Sequence, residues 1–111
     1  MIDASTAVSG SGPAYVFFFM NAMMKASTEL GFNESESALL ISQTFKGAVD
    51  LYNKHNVSCE DWIKKVASRG GTTEAAINTF TNLELHDDIM HGVHAAMDRA
   101  VQLGNQSIKI S

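Results

Sequence analysis

The sequence predicts an all-α domain, a bundle of about five helices that interlocks with a second copy of the chain as a dimer. Apolar residues recur at helical spacing in several segments, whereas no long run of β-branched residues alternates with polar ones. Pro13 is the single proline, so little interrupts the helices. Hydrophobic residues make up 45% of the 111 positions and charged residues only 18%. That composition is rather apolar for a small monomer, whose surface is large relative to its volume, and it indicates a partner surface.

The first helix is expected over residues 13–30, after an N-terminal segment that we expect to be a loop. Pro13 suits the first helical position, where its missing N–H would have no partner anyway. Gly31 supplies the left-handed residue that ends such a helix. The first half of this helix is apolar all round, which predicts burial on every side. A polar stripe follows the second half: Asn21, Lys25, Thr28 and Glu29.

The second helix is expected to begin near Asn33 or Ser35. Glu34 and Glu36 would then lie in its first turn, where negative charge favours the positive end of the helix dipole. Gly47 lies inside this helix, where glycine costs roughly 1 kcal/mol relative to alanine. We therefore interpret it as a close crossing with another helix. The predicted apolar stripe is Ala38, Ile41, Phe45, Ala48, Val49 and Tyr52.

Three further helices complete the predicted bundle. A short one follows Ser58, which with Asp61 has the form of a capping box, and its inward residues would be Trp62, Ile63 and Val66. A fourth begins at the threonines, Thr72 and Thr73, with Ala76, Ile77 and Phe80 facing inward. The last is expected over residues 83–103 and to end at Gly104. Its apolar stripe is Leu85, Ile89, Val93, Met97 and Ala100.

Composition excludes several classes of function. The net charge is −4 and the 8 Lys and Arg residues are scattered, so no basic face is available to bind nucleic acid. The longest apolar stretch is well short of the ~20 residues that span a bilayer, so we expect no membrane partner. The single cysteine, Cys59, excludes an internal disulfide and suits a reducing compartment. No signal peptide is visible either, so we expect a cytoplasmic protein.

The stretch "SRGGTTEAA", residues 68–76, carries the strongest chemical pattern. Paired glycines let backbone N–H groups approach a ligand without interference from side chains. The threonines then open a helix whose first N–H groups have no internal partner, which makes a receptor for a carboxylate or phosphate. A plain turn is the alternative, in which Gly-Gly ends one helix and Thr caps the next. Spacing alone favours the turn.

Other motifs give weaker evidence for a binding or catalytic site. "SGSGPAY", residues 9–15, lacks the preceding strand, third glycine and lysine of nucleotide-binding loops, so we interpret it as a tight turn. Cys59 has no motif-positioned base and is not expected to be a nucleophile. We predict no metal site, because the one candidate set lies opposite the apolar stripe of the last helix and is expected to be solvated. That set is Asp87, His91, His94 and Asp98.

Three segments in order resemble the C-terminal domain of the pyrroline-5-carboxylate reductase family. They are "DASTAVSGSGPAYVFFFMNAM" at residues 3–23, "GA" at 47–48 and "VASRGGTTEAAI" at 66–77. The order and separation of the first and last motifs make the resemblance specific, and it extends to about Gly104. It implies the helical C-terminal domain of a two-domain reductase of the 6-phosphogluconate-dehydrogenase-like kind.

The resemblance implies an enzyme that reduces 1-pyrroline-5-carboxylate to L-proline, the last step of proline biosynthesis. Residues 1–111 would be the dimerisation and substrate-binding domain. An N-terminal Rossmann domain, which would bind the NADP or NAD cofactor, is absent from these residues, and no cofactor-binding residue is assigned. We therefore expect the chain alone to be inactive. Family members form homodimers, and some assemble further into decamers.

The resemblance also implies which residues hold the substrate. Gly70, Gly71, Thr72 and Thr73 would bind its carboxylate through backbone N–H groups, and Ser68 would assist from the preceding helix end. Thr73 would be the catalytic residue, its hydroxyl placed near the ring nitrogen to orient the imine for hydride attack.

One departure from the family pattern keeps other functions open. Arg69 stands where the family has a proline, and it adds a positive charge beside the anion site. This gives some weight to a paralogous imine reductase domain with an altered substrate. A non-catalytic helical oligomerisation module is the other alternative, and it predicts no affinity for proline.

Overall fold

The computed structural model describes residues 2–68 and 71–110, and side-chain burial within 3–68 and 71–105. The elements are α1 (Ile2–Ser5), a π-helical turn π1 (Thr6–Gly10), α2 (Gly12–Glu29), α3 (Glu34–Lys54), α4 (Cys59–Ala67), α5 (Gly71–Asn82) and α6 (Leu85–Ile110). No strand occurs within these described ranges. The prediction of an all-α fold with about five helices is confirmed, since α2 to α6 each have nine residues or more.

The predicted N-terminal loop is wrong, because this segment is helical. The Ser11 N–H donates to the Thr6 carbonyl at 2.9 Å, a five-residue step that defines a π turn. The Ser9 hydroxyl donates to the Ser5 carbonyl at 2.9 Å. Ala7 is buried, and its carbonyl accepts a 2.6 Å hydrogen bond from the Tyr15 hydroxyl. These contacts outweigh the turn-like serine and glycine composition that suggested a loop.

The connection between α2 and α3 follows the sequence closely. Gly31 has φ +114°, so the left-handed residue is where it was predicted. Asn33 caps α3, accepting from the Glu36 N–H at 2.8 Å, while the Glu36 carboxylate accepts from the Asn33 N–H at 2.9 Å. This reciprocal capping box fixes the start of α3 at Glu34, between the two positions that were predicted.

The shorter helices begin where local capping chemistry places them. The Ser58 hydroxyl accepts from the Asp61 N–H at 3.1 Å, which is one half of the predicted exchange, and α4 ends before Ser68 as expected. Helix α5 begins at Gly71, one residue before the threonines.

The predicted bounds of the last helix are wrong at both ends. Glu84 has φ 60° and separates α5 from α6, which starts at Leu85. Helix α6 continues through Gly104 to Ile110. Gly31 is the one glycine of the described ranges with a positive φ, so Gly104 stays helical. A glycine inside a helix costs about 1 kcal/mol but does not end the helix unless the chain turns there.

The chain divides into two units, residues 1–16 with 78–111, and residues 17–77. In the first unit, α1 and π1 pack against α6. The predicted apolar stripe of α6 is half-buried at Leu85, Val93, Met97 and Ala100, while Ile89 is more exposed. In the second unit, the buried residues lie on α2 and α3: Ser27, Ser37 and Ile41.

Much of the apolar surface is exposed in a single copy of the chain. Within the described side chains, the buried hydrophobic residues are Ala7 and Ile41. Phe17 is 64% exposed and Phe18 is 76% exposed, although the first half of α2 was predicted to be buried on every side. Eight residues of the apolar faces predicted for α3, α4 and α5 are also exposed: Ala38, Ala48, Val49, Tyr52, Ile63, Val66, Ala76 and Phe80. Their faces are apolar as predicted, but the described part of the same chain leaves them uncovered.

A bilayer-spanning helix is also missing from the described ranges, since none there combines the length and apolar character that crossing a membrane requires.

Candidate anion site at the start of helix α5

The predicted site residues lie at the junction of α4 and α5. Ser68 caps the C-terminal end of α4, and its N–H donates to the Lys64 carbonyl at 3.0 Å. Gly71, Thr72 and Thr73 form the first three positions of α5. Gly70, which was predicted to bind the carboxylate, and Arg69 lie outside the described residues.

The amides at this end of α5 are oriented for an anion. The first N–H groups of an α-helix have no acceptor within the helix, and the helix dipole places partial positive charge on them. A Cβ built on Gly71 would meet nothing within 4 Å, so the space beside this residue is open. A small carboxylate can therefore approach the backbone here.

The hydroxyl groups of the junction differ in their surroundings. Thr72 is exposed, whereas Thr73 is half-buried. The Ser68 hydroxyl donates to the Lys65 carbonyl at 2.9 Å. Because a serine has a single hydroxyl proton, Ser68 would have to give up this bond before donating to a ligand. The half-burial of Thr73 therefore distinguishes it from Thr72 and Ser68, which are both exposed.

Charges of both signs flank the junction. Lys64 and Lys65 lie in the last turn of α4, and Glu74 lies in the first turn of α5. The lysines would favour an anion near the helix start, whereas Glu74 would oppose one, so these side-chain charges act in opposite directions there.

The other sequence candidates have no comparable geometry. The Asp and His residues of the predicted solvated face of α6 are exposed: Asp87, His91, His94 and Asp98. Across the described residues, no group of three or more potential ligands is close enough to hold a metal ion. Cys59 is an exposed free thiol at the start of α4.

A concavity lies between α2 and α3, away from the start of α5. We call it the α2–α3 groove; it has a volume of about 330 Å³ and is lined by Asn21, Met24, Lys25, Thr28, Glu34 and Ser37. Sequence reasoning found the polar stripe of α2 but missed Ser37. Its signal was present, because Ser37 precedes the buried Ile41 by one helical turn and so shares its face.

Comparisons with known proteins agree on one family. Residues 1–103 match the family described as pyrroline-5-carboxylate reductase dimerisation. A pyrroline-5-carboxylate reductase of Pseudomonas aeruginosa is 39% identical over 105 residues, which are 95% of this chain and 38% of that protein. Pyrroline-5-carboxylate reductase 2 of Bacillus subtilis is 34% identical over 105 residues, again 95% of this chain and 38% of that protein.

Solved structures give the same result for the fold. The crystal structure of Plasmodium falciparum pyrroline carboxylate reductase with NADP bound superposes with a TM-score of 0.89 and 29% identity, covering 93% of this chain and 39% of that one. The chain thus spans about 38% of the length of the curated relatives it matches. The family match extends over nearly the whole sequence, and the resemblance inferred from its motifs is confirmed: the chain belongs to the pyrroline-5-carboxylate reductase dimerisation family.

Proposed function

We propose that this chain is the dimerising and substrate-binding part of an NAD(P)H-dependent reductase that converts 1-pyrroline-5-carboxylate to L-proline. The observation that carries the proposal is the family match over residues 1–103, together with relatives that are named as this reductase. The open anion site at the start of α5 supports it, because the substrate and product both carry a carboxylate.

The proposed roles of the site residues rest on the family resemblance, and the position of Gly71, Thr72 and Thr73 in the first turn of α5 supports them. The N–H groups of Gly71 and Thr72 would hold the carboxylate, with Gly70 as a further expected donor. The hydroxyl of Thr73, a half-buried residue, would contact the ring nitrogen and orient the C=N bond. When bound, a reduced nicotinamide would supply a hydride to the carbon of the protonated C=N bond, so that the iminium becomes the secondary amine of proline and the cofactor is left oxidised.

The cofactor itself is not assigned to residues of this chain. The 111 residues contain no glycine fingerprint following a strand, which is what dinucleotide binding by a Rossmann unit requires. We propose that NADP or NAD is held mainly by an N-terminal Rossmann domain of the whole enzyme. This chain would then contribute the substrate site and the subunit contact that builds a homodimer in the cytoplasm, with decamers as a further level of assembly.

Titration with L-proline tests the site. We expect the backbone amide signals of Gly71, Thr72 and Thr73 to shift together in ¹⁵N NMR spectra as proline is added. Thr73→Val should weaken binding by roughly 10- to 150-fold, since a hydrogen bond to a charged group is worth roughly 1.5–3 kcal/mol. Thr72→Val is the matched control and should bind as the original chain does. Unmoved amides would contradict the proposal, as would equal effects of the two variants.

Turnover by the chain alone tests the division of labour. With 1-pyrroline-5-carboxylate and NADPH, we expect no oxidation of NADPH by the 111-residue chain, because nothing in it is assigned to hold the nucleotide. The loss of NADPH absorbance measures this directly. Measurable turnover would show that these residues bind the cofactor themselves and would overturn the assignment of cofactor binding to another domain.

A further inference from the structure

We propose that the α2–α3 groove binds a compact amino acid in its zwitterionic form, at a site separate from the start of α5. Every residue that lines the groove belongs to the unit formed by residues 17–77. Its volume of about 330 Å³ lies at the lower end of the range for small-molecule sites, so the ligand must be small. This inference does not depend on the proposed reductase function.

Two opposite charges line the groove without pairing with each other. Lys25 comes from α2 and Glu34 from the first turn of α3. The ion pairs found among the described residues are Lys46 with Asp50 and His86 with Asp87, so neither groove charge has an ionic partner there. A lone anion in the groove would be repelled by Glu34, and a lone cation by Lys25. A molecule with one charge of each sign satisfies both.

Ser37 supplies the observation that points to a ligand. It is 1% exposed and lines the groove, yet its hydroxyl oxygen has no hydrogen-bond partner. A buried hydroxyl without a partner costs roughly 1–3 kcal/mol, and such groups are rare in folded proteins. One rotatable bond carries this hydroxyl, so a change of rotamer can present it to a bound molecule.

The other residues that line the groove indicate the chemistry of the rest of the ligand. The amide of Asn21 and the hydroxyl of Thr28 offer further polar contacts, although Thr28 already donates to the Lys25 carbonyl at 2.8 Å. Met24 contributes a flexible apolar wall that suits a short aliphatic side chain. Charged residues are depleted in the cores of protein–protein interfaces, so this groove fits a small polar molecule better than a second copy of the chain.

Three probes of matched shape test the charge requirement on the 111-residue chain. L-valine carries both charges, isovalerate lacks the ammonium group, and isobutylammonium lacks the carboxylate. We expect L-valine to shift the amide signals of Lys25, Glu34 and Ser37 in ¹⁵N NMR spectra, with much smaller shifts for the other two. No shift with L-valine, or equal shifts with either single-charge probe, would overturn the proposal.

Variants test the individual contacts. Lys25→Gln and Glu34→Gln should each weaken binding of L-valine about tenfold, whereas Lys46→Gln, which removes a lysine outside the groove, should leave it unchanged. Ser37→Ala should weaken binding without lowering the thermal unfolding temperature, because it removes a buried hydroxyl that has no partner. Unchanged affinity in these groove variants would overturn the assignment. The amides of Gly71 to Thr73 report separately on the reductase site, so the two proposals fail independently.

Discussion

At the scale of single residues, the hydroxyl-bearing residues at the junction of α4 and α5 differ in their exposure and in their hydrogen bonds. Thr72 and Thr73 are adjacent and chemically identical, yet the helix turns one to solvent and half-buries the other. The sequence predicted that both belong to the anion site, because glycine pairs and helix starts are local patterns. The sequence could not show which of the two threonines is the less exposed, because the burial of Thr73 depends on which residues pack beside α5. It also could not reveal that the Ser68 hydroxyl already donates to a carbonyl.

Tyr15 gives a residue-scale prediction about stability. Its hydroxyl donates to the Ala7 carbonyl at 2.6 Å and so ties π1 to α2. Tyr15→Phe removes the donor and leaves the carbonyl of a buried residue without it, so we expect the free energy of unfolding to fall by about 1 kcal/mol. Denaturant unfolding followed by circular dichroism measures this change. Tyr52→Phe is the matched control, because Tyr52 is 49% exposed, and it should change stability by less than about 0.5 kcal/mol. Equal effects of the two changes would show that the bond to Ala7 contributes nothing.

At the scale of helices, the sequence predicted the boundaries that local capping contacts fix better than it predicted the bounds of α6. The start of α3 is fixed by Asn33 and Glu36, which lie three residues apart and satisfy each other's backbone N–H groups. Such a contact is complete within one turn, so it can be read from the sequence. The end of α6 is different, because Gly104 can either stop a helix or continue it. The outcome depends on the chain beyond the glycine rather than on the glycine itself.

Which face of each helix is buried could be predicted only in part. The apolar stripe of α6 is half-buried as expected at every member except Ile89, since α1 and π1 of the same unit pack against this helix. The inward face predicted for α4 is exposed at Ile63 and Val66. Periodicity identifies which residues share a face, but it does not tell whether the covering element comes from the same chain.

At the scale of helices, Gly47 on α3 allows a prediction about the contact with a second copy of the chain. It lies on the face of α3 that carries Leu40 and Leu51, which are 44% and 41% exposed, and a Cβ built there would meet nothing within 4 Å. The predicted close crossing is therefore not made within the described residues, and we expect the second copy to make it. Gly47→Ala should then weaken the dimer by roughly 1–3 kcal/mol through overpacking, which sedimentation equilibrium measures.

Gly92 is the control for this change, because it also sits inside a long helix with nothing within 4 Å of a Cβ. Its face carries Asp88 and Arg99, so we expect no partner helix there. Gly92→Ala should raise the free energy of unfolding by about 1 kcal/mol through helix propensity alone. A dimer equally stable in both variants would argue against a crossing at Gly47.

At the scale of the whole molecule, the exposed apolar surface is the main fact to explain. Monomeric proteins rarely leave contiguous apolar patches of large area in water, and such patches mark interaction sites. Here Phe17 and Phe18 are mostly exposed, and their helix was predicted from sequence to be buried on every side. The family description, pyrroline-5-carboxylate reductase dimerisation, agrees with that prediction. The composition thus indicated a partner correctly, because many apolar side chains of the described residues stay exposed in one copy.

Phe18 tests whether this surface joins two copies. It is 76% exposed in one chain, so a charge placed there should be tolerated by an isolated copy but not by a copy whose α2 is enclosed by a partner. An unpaired carboxylate enclosed by apolar side chains costs several kcal/mol. We expect the original chain to elute with the mass of a dimer in size-exclusion chromatography with light scattering, and Phe18→Glu to elute with the mass of a monomer.

The control is Ser35→Glu, which adds the same charge at an exposed position in the first turn of α3, where the helix dipole favours it. This variant should remain dimeric and helical. Circular dichroism of both variants separates loss of association from loss of folding. A Phe18→Glu chain that stays dimeric would mean that the apolar first half of α2 is not enclosed between subunits. The contact would then have to run through the exposed faces of α3 and α4, where Leu39 and Val66 provide the alternative apolar surface.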